Sequence, residues 1–291
     1  MKSRNLIYLS SIFCIPAVYI FAAVEKVDNS LQAQSMLSVL YAQSSAEYDA
    51  NNIQTYTGAK LALDKALIEK NWTAAIEQKE NFSDKPPAVI LDIDETVLNN
   101  IPFQARAIIK GEGYPNGWLD WMLEEAATSV AGVKDFLEYA ERKGVKVFYV
   151  TNRVAIAEEA TRNNLKKLGL PLDLDRDVLL MKNENGWTSD KVSRRQLISE
   201  DYRILLLIGD QLGDFISLEE STVNIDSRKA ISKKYKDMWG KKWFMITNPI
   251  YGRWEASIYN NEYPETEDEL IRMRMNALEP VSYTHLTLPT N

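Results

Sequence analysis

Short apolar runs punctuate the second two-thirds of the chain: AVILDID, VKVFYVTNR, DVLLM, YRILLLIGD and KKWFMITNP. Each has strand length and is almost continuously apolar, the pattern of a strand buried on both faces. Between them, apolar residues recur at helical spacing. Val133, Phe136, Leu137 and Ala140 fall on one face, and Gly144 supplies a C-terminal stop. A second helix is predicted over about 155–168, ending at Gly169. A third covers KVSRRQLISED, where the RRQ after Lys191 reads as a solvated face. Strands alternating with amphipathic helices predict an α/β fold, a parallel sheet with helices on both faces.

Upstream, residues 31–80 read as helical, with Leu63, Ala66 and Leu67 on one face and charges opposite. Pro86 and Pro87 close that segment before the first strand. A Gly- and Trp-rich insertion, about 101–130, follows the strand and contains GEGYPNGWLDWMLEEA. The predicted organisation is one domain over 31–280. Residues 31–80 form a helical layer, and 87–255 form an α/β core carrying the insertion. The helical parts make a smaller, mostly helical cap and N-terminal layer.

The strand ends change the picture. The first run ends Asp92-Ile93-Asp94, the second Thr151-Asn152-Arg153, and the fourth leads into Gly209-Asp210-Gln211-Leu212-Gly213-Asp214. In a parallel α/β sheet the C-terminal strand ends share one rim, where ligands bind. Asp92, Asp94, Thr151, Asp210 and Asp214 should therefore meet. Gathered carboxylates repel, and some would hold protons unless a cation compensates. An oxygen-only donor set suits a hard divalent ion such as Mg²⁺. Asp92 and Asp94, two apart, can face the same side, so that one attacks while the other handles a proton. Aspartate is a workable nucleophile toward phosphorus once the phosphoryl charge is drained.

Composition narrows the chemistry. The chain of 291 residues carries a formal net charge of −7, and no basic stripe suggests a nucleic-acid polymer as partner. Its one cysteine, Cys14, and its one histidine, His285, lie near the two ends. The body therefore has no Ser–His–Asp or Cys–His machinery and no zinc site built on histidine or thiolate.

These residues resemble a known family. DIDETVL is similar to the first motif of the haloacid-dehalogenase-like phosphohydrolases, D-x-D-x-T. Thr151 matches their second motif, Lys191 their third (Lys182 lies nearby as an alternative) and GDQLGDF their acidic fourth. VILDIDETVLNN, FYVTNR, LLLIGDQLGDF and NPIYGRWE together resemble the class C bacterial acid phosphatases, related to the lipoprotein 5′-nucleotidases, over about 31–255.

The resemblance implies a haloacid-dehalogenase-like Rossmannoid sheet and Mg²⁺-dependent hydrolysis of small phosphate monoesters. Asp92 would be the nucleophile and Asp94 the acid and base. Thr151, Asn152 and Lys191 would bind phosphate. Asp92, the Asp94 carbonyl, Asp210 and Asp214 would hold the metal. Trp118, Trp121 and Tyr251 would clamp a planar leaving group such as a nucleoside 5′-monophosphate, with core packing the competing role of each ring. Phe103 stands where members often have tyrosine. A phosphotransferase using the same aspartyl-phosphate, or a storage or binding relative without catalysis, are the alternatives.

The ends are set apart from the fold. Residues 1–23 pair Lys2 and Arg4 with an apolar stretch of roughly 18 residues, a signal peptide or an N-terminal anchor. Export to the periplasm or cell envelope is the expectation, with membrane contact only through that segment. Phe13 before Cys14 argues against a lipoprotein cysteine. Residues 281–291, VSYTHLTLPTN, resemble adapter read-through and are expected to be non-native.

Overall fold

The computed structural model describes residues 31–173 and 175–279. The leader with Cys14, and the tail with His285, lie outside the described residues. After a 3-10 helix (Leu31–Ser35), the described chain runs through α1 (Met36–Ser44) and α2 (Ala46–Ile68), then β1 (Pro87–Leu91). A two-stranded ribbon, β2 (Leu98–Asn99) with β3 (Thr128–Ser129), brackets α3 (Ile101–Lys110) and α4 (Trp118–Glu124). There follow α5 (Val133–Arg142), β4 (Lys146–Val154), α6 (Glu158–Lys167), β5 (Leu179–Lys182), α7 (Val192–Asp201) and β6 (Arg203–Gly209). The short α8 (Leu218–Ser221), α9 (Ile225–Lys234), β7 (Trp243–Met245), α10 (Arg253–Ala256) and α11 (Glu267–Asn276) complete the described chain.

The main sheet has the order β5-β4-β1-β6-β7, and its strand pairs are parallel. β1 lies at the centre. Side-chain alternation along it builds two cores. Val89 and Leu91 pack on one face with Tyr56 and Leu63 of α2 and Phe136 of α5. Ala88 and Ile90 pack on the other with Ile198 of α7, Ile231 of α9, Phe215 and Trp243. This two-sided burial is what a near-continuous apolar strand requires. The predicted face of α5, Val133, Phe136, Leu137 and Ala140, is wholly buried.

One expectation is corrected. Helix does not run to residue 80, because α2 stops at Ile68. The segment beyond it instead serves β6. That strand pairs with the three-residue β7 only from Leu207 onward, which leaves its earlier groups without a strand on that side. The Ala74 amide donates to the Ile204 carbonyl at 2.7 Å, and Trp72 Nε1 to the Leu205 carbonyl at 2.8 Å. Gln78 Oε1 accepts from the Ile204 amide at 3.1 Å. Satisfying buried main-chain groups outweighs continuing the helix.

Phe136 is fully buried and its ring lies 5.6 Å from that of Tyr56. Phe136→Ala is expected to destabilise the protein by about 3–5 kcal/mol in urea denaturation. Ile109, 84% exposed on α3, should tolerate alanine within about 0.5 kcal/mol.

Candidate active site

The C-terminal ends of β1, β4 and β6 meet at the centre of the sheet. The Asp92 amide still bonds to the Ile208 carbonyl at 3.0 Å, so Asp92 leaves β1 in register with β6. The chain then turns sharply: the amides of Val97 and Leu98 both reach the Ile93 carbonyl at 2.8 Å, and Glu95 adopts φ 56°. Asp210 follows β6 directly. Asp214 closes a one-turn 3-10 helix, where its Oδ2 accepts from the Gln211 amide at 2.8 Å. Gly209 has no substitute there, since a Cβ would sit 2.2 Å from Asp214 Oδ2.

These turns bring the predicted acids together. One carboxylate oxygen each from Asp92, Asp210 and Asp214 lies within 4.8 Å of the others. Lys191, at the start of α7, donates from Nζ to Asp92 Oδ1 and to Asp214 Oδ1, the latter at 2.6 Å. It is thus Lys191, rather than Lys182, that reaches the acids. Asp210 Oδ2 accepts from Asn248 Nδ2 at 2.8 Å and Gln211 Nε2 at 2.9 Å. The carboxylate of Asp94 stands apart from the trio, held by Arg153 Nε at 2.8 Å and Asn100 Nδ2 at 2.9 Å.

Burial pushes Asp92 well above the usual carboxylate range, Lys191 pulls it back, and Asp214 and Asp210 raise it further. Burial, then Asp214, lifts Asp210 to about 7. For Lys191, burial favours the neutral amine, but Asp214 and Asp92 more than reverse this and hold it above its ordinary value. Three crowded acids facing one cation leave surplus negative charge. That surplus, on oxygen donors alone, fits a hard divalent ion.

Of the RRQ after Lys191 only Gln196 is exposed: Arg194 and Arg195 are completely buried. Arg194 donates to the Thr151 carbonyl and, from Nη2, to Asn152 Oδ1 at 2.9 Å and to the Thr188 and Asp190 carbonyls at 3.1 Å. It ties the end of β4 to the loop carrying Lys191. Arg195 turns the other way, to Glu77 Oε1 at 2.9 Å and the Asp214 carbonyl at 3.1 Å. Adjacent helix residues point in different directions, so the pair clamps two loops at once. Nothing local in the sequence marked them, since their partners are main-chain carbonyls and side chains of other segments.

Thr151 is buried, and its Oγ1 accepts from the Arg153 amide at 3.0 Å. The side-chain amide of Asn152, a predicted phosphate ligand, is committed to Arg194 and to the Ser189 carbonyl at 3.1 Å. The aromatic residues separate. Trp118 is half-buried, edge-on to Phe103 at 5.0 Å between ring centroids. Trp121 is buried in the core with Nε1 on Asn100 Oδ1 at 2.8 Å, so the predicted stacking surface is corrected to a structural support. Tyr251 is half-buried against the cluster of Val39, Tyr48, Ile101 and Ile250. Asn100, Arg153, Gln211 and Asn248 were not singled out as site residues from the sequence.

A family profile described as HAD superfamily, subfamily IIIB (Acid phosphatase), matches residues 16–254. Among solved structures, the chain is similar to the class C acid phosphatase from Bacillus anthracis, with a TM-score of 0.74 and 32% identity. That match covers 86% of this chain and 98% of the Bacillus anthracis chain. The tungstate-bound form of the same phosphatase matches with a TM-score of 0.74 and 31% identity over the same shares. Among curated proteins, vegetative storage protein 1 of Arabidopsis thaliana is 28% identical over 135 residues, 44% of this chain and 48% of that protein. Acid phosphatase 1 of Solanum lycopersicum is 28% identical over 131 residues, 44% and 51% of the two chains. The chain spans about half the length of these curated relatives.

The raised acid at Asp210 has a linkage consequence for the metal-free protein. Between the unfolded value of 3.8 and about 7, the folded state keeps a proton that the unfolded state has lost. Stability should therefore fall as pH rises through that window, and the acids of Asp92 and Glu95, also raised by burial, add to the fall. Denaturation of chelator-treated protein at several pH values should show this slope, and Asp210→Asn should make it shallower.

Proposed function

Since the chain belongs to subfamily IIIB of the HAD superfamily, the acid phosphatases, we propose that it is a phosphomonoesterase working through an aspartyl-phosphate on Asp92. The observation that carries this reading is the convergence of Asp92, Asp210 and Asp214 on one point, with the Lys191 ammonium between two of them. An Asp92 oxygen attacks phosphorus. The ester P–O bond breaks, its electron pair passes to the leaving oxygen, and Asp94 gives that oxygen a proton. Asp94 then takes a proton from water as the water attacks the aspartyl-phosphate, releasing phosphate and restoring Asp92. Lys191 and the Thr151 hydroxyl would hold phosphoryl oxygens, with the main-chain amide of Asn152 beside them.

A divalent cation, Mg²⁺ in this reading, would be held by Asp92, Asp210, Asp214 and the Asp94 carbonyl, and supplies charge neutralisation for the phosphoryl group. The substrate class is small phosphate monoesters, among them nucleoside 5′-monophosphates, whose planar bases would suit Trp118 and Tyr251. The basic and apolar leader supports export to the periplasm or cell envelope. Similarity to a vegetative storage protein raises a non-catalytic alternative. Asp92, buried and paired with Lys191, favours catalysis. A phosphotransferase shares the same intermediate, and product analysis with added glycerol separates the two.

Release of phosphate from an aryl phosphate should stop on chelation and return with Mg²⁺. Asp92→Asn should lower kcat by about a thousandfold or more, and an unchanged rate would falsify the mechanism. On the leaving-group side, Trp118→Ala and Tyr251→Ala should each raise KM for nucleotides more than for a sugar phosphate. Equal effects on both esters would remove the nucleotide preference while leaving the phosphatase reading intact.

A further inference from the structure

The carboxylate of Asp94 is held by a buried network outside the metal cluster. Arg153 is 1% exposed at its side chain. Its Nε donates to Asp94 Oδ1 at 2.8 Å, its Nη2 to Asn100 Oδ1 at 3.1 Å, and its Nη1 to Thr161 Oγ1 at 3.3 Å. Asn100 is completely buried. Its orientation is fixed, because Trp121 Nε1 and Arg153 are donors only and both meet Oδ1. Asn100 Nδ2 must then face the acids, reaching Asp94 Oδ1 at 2.9 Å and Glu95 Oε2 at 3.4 Å. The Asn100 amide donates to Glu95 Oε1 at 2.9 Å, which locks the turn beneath.

We infer that Arg153 is a positioning residue for Asp94, acting with Asn100 to reserve Asp94 Oδ2 as the oxygen that exchanges a proton with the leaving group. Oδ1 already receives two N–H donors. A proton placed on it would face both of them, so the neutral acid carries its proton on Oδ2. Among the described residues no hydrogen bond to Oδ2 is formed. The arrangement originates in β4. Its pairing with β5 shifts register between Val150 and Val154, and the irregular stretch carries both Thr151 and Arg153. Thr151 and Arg153 are both buried there, with Asn152 between them exposed. One strand end thus supplies the phosphate-binding hydroxyl and the guanidinium that aims the acid. The Arg153 guanidinium also lies 5.7 Å from the Trp118 ring centroid, which joins the aimed acid to the leaving-group side.

The inference rests on the reading of Asp94 as acid and base, and the test separates the two. Substrates are an aryl phosphate with an acidic phenol, which leaves without protonation, and a simple alkyl phosphate, which needs a proton. The readout is kcat/KM, which reports the step that forms the aspartyl-phosphate even when its hydrolysis limits turnover. Asp94→Asn should lower the alkyl value at least tenfold more than the aryl value. Arg153→Gln should lower both, with an alkyl loss about tenfold larger. The double variant should show no selective loss beyond that of Asp94→Asn, as expected for residues acting as one unit. A purely structural role for Arg153 predicts equal losses on the two esters, and that result overturns the inference while Asp94 keeps its role. If Asp94→Asn itself does not discriminate, the general-acid reading falls and this inference with it. Arg153→Lys keeps the charge and loses the fork of donors. Should the Gln variant not fold, a selective alkyl loss of about threefold or more in Arg153→Lys supports the proposal, and no selectivity overturns it.

Discussion

A buried ammonium between two buried carboxylates is the interaction on which the site depends. Lys191 bridges Asp92 and Asp214, and all three side chains are more than nine-tenths removed from solvent. Each charge alone would cost several kcal/mol to bury, and mutual attraction repays this only when geometry and hydrogen bonding are good. The bridge spans three chain segments, the end of β1, the start of α7 and the turn after β6, so those segments must be in place together. Removing Lys191 would leave acids that can coexist only by taking up protons or binding another cation.

The guanidinium groups extend the same logic outward. Arg194 fixes the end of β4 to the Lys191 loop, and Arg195 fixes Glu77 to the acidic turn. Burial draws Arg194 down to about 10, against the pull of Asp92. Its bonds to main-chain carbonyls hold fixed the loops that would grip a phosphoryl group. Such rigidity matters because phosphoryl transfer offers a protein little beyond positioning and electrostatics. Arg153 pairs with Asp94 as Lys191 pairs with Asp92, and the two networks stay separate, one around Asp92 and Asp214 and one around Asp94 and Asn100.

Much of this was legible in the sequence. The alternation of apolar runs and amphipathic stretches specified the parallel sheet, since a strand covered on both faces has no polar side. The rim residues Asp92, Thr151, Lys191, Asp210 and Asp214 stood out as polar groups at apolar ends. Where reading failed, a tertiary demand had overridden a local pattern. Residues 69–80 left the helix because β6 lacked a partner strand. Trp121 turned inward because its indole N–H met Asn100. The arginine pair looked like a solvated face because charge on a helix usually is one.

The sequence by itself determined the sheet, the order of its strands' polar ends and the kinds of donor gathered there, because periodicity and residue chemistry are local properties. Only the tertiary structure decided which cations answer which acids, that Asp94 stands apart from the trio, and which of the predicted rings keeps an accessible face. Those outcomes depend on distances between segments remote in the chain. Burial, which makes an unpaired charge untenable, is fixed only when the segments pack.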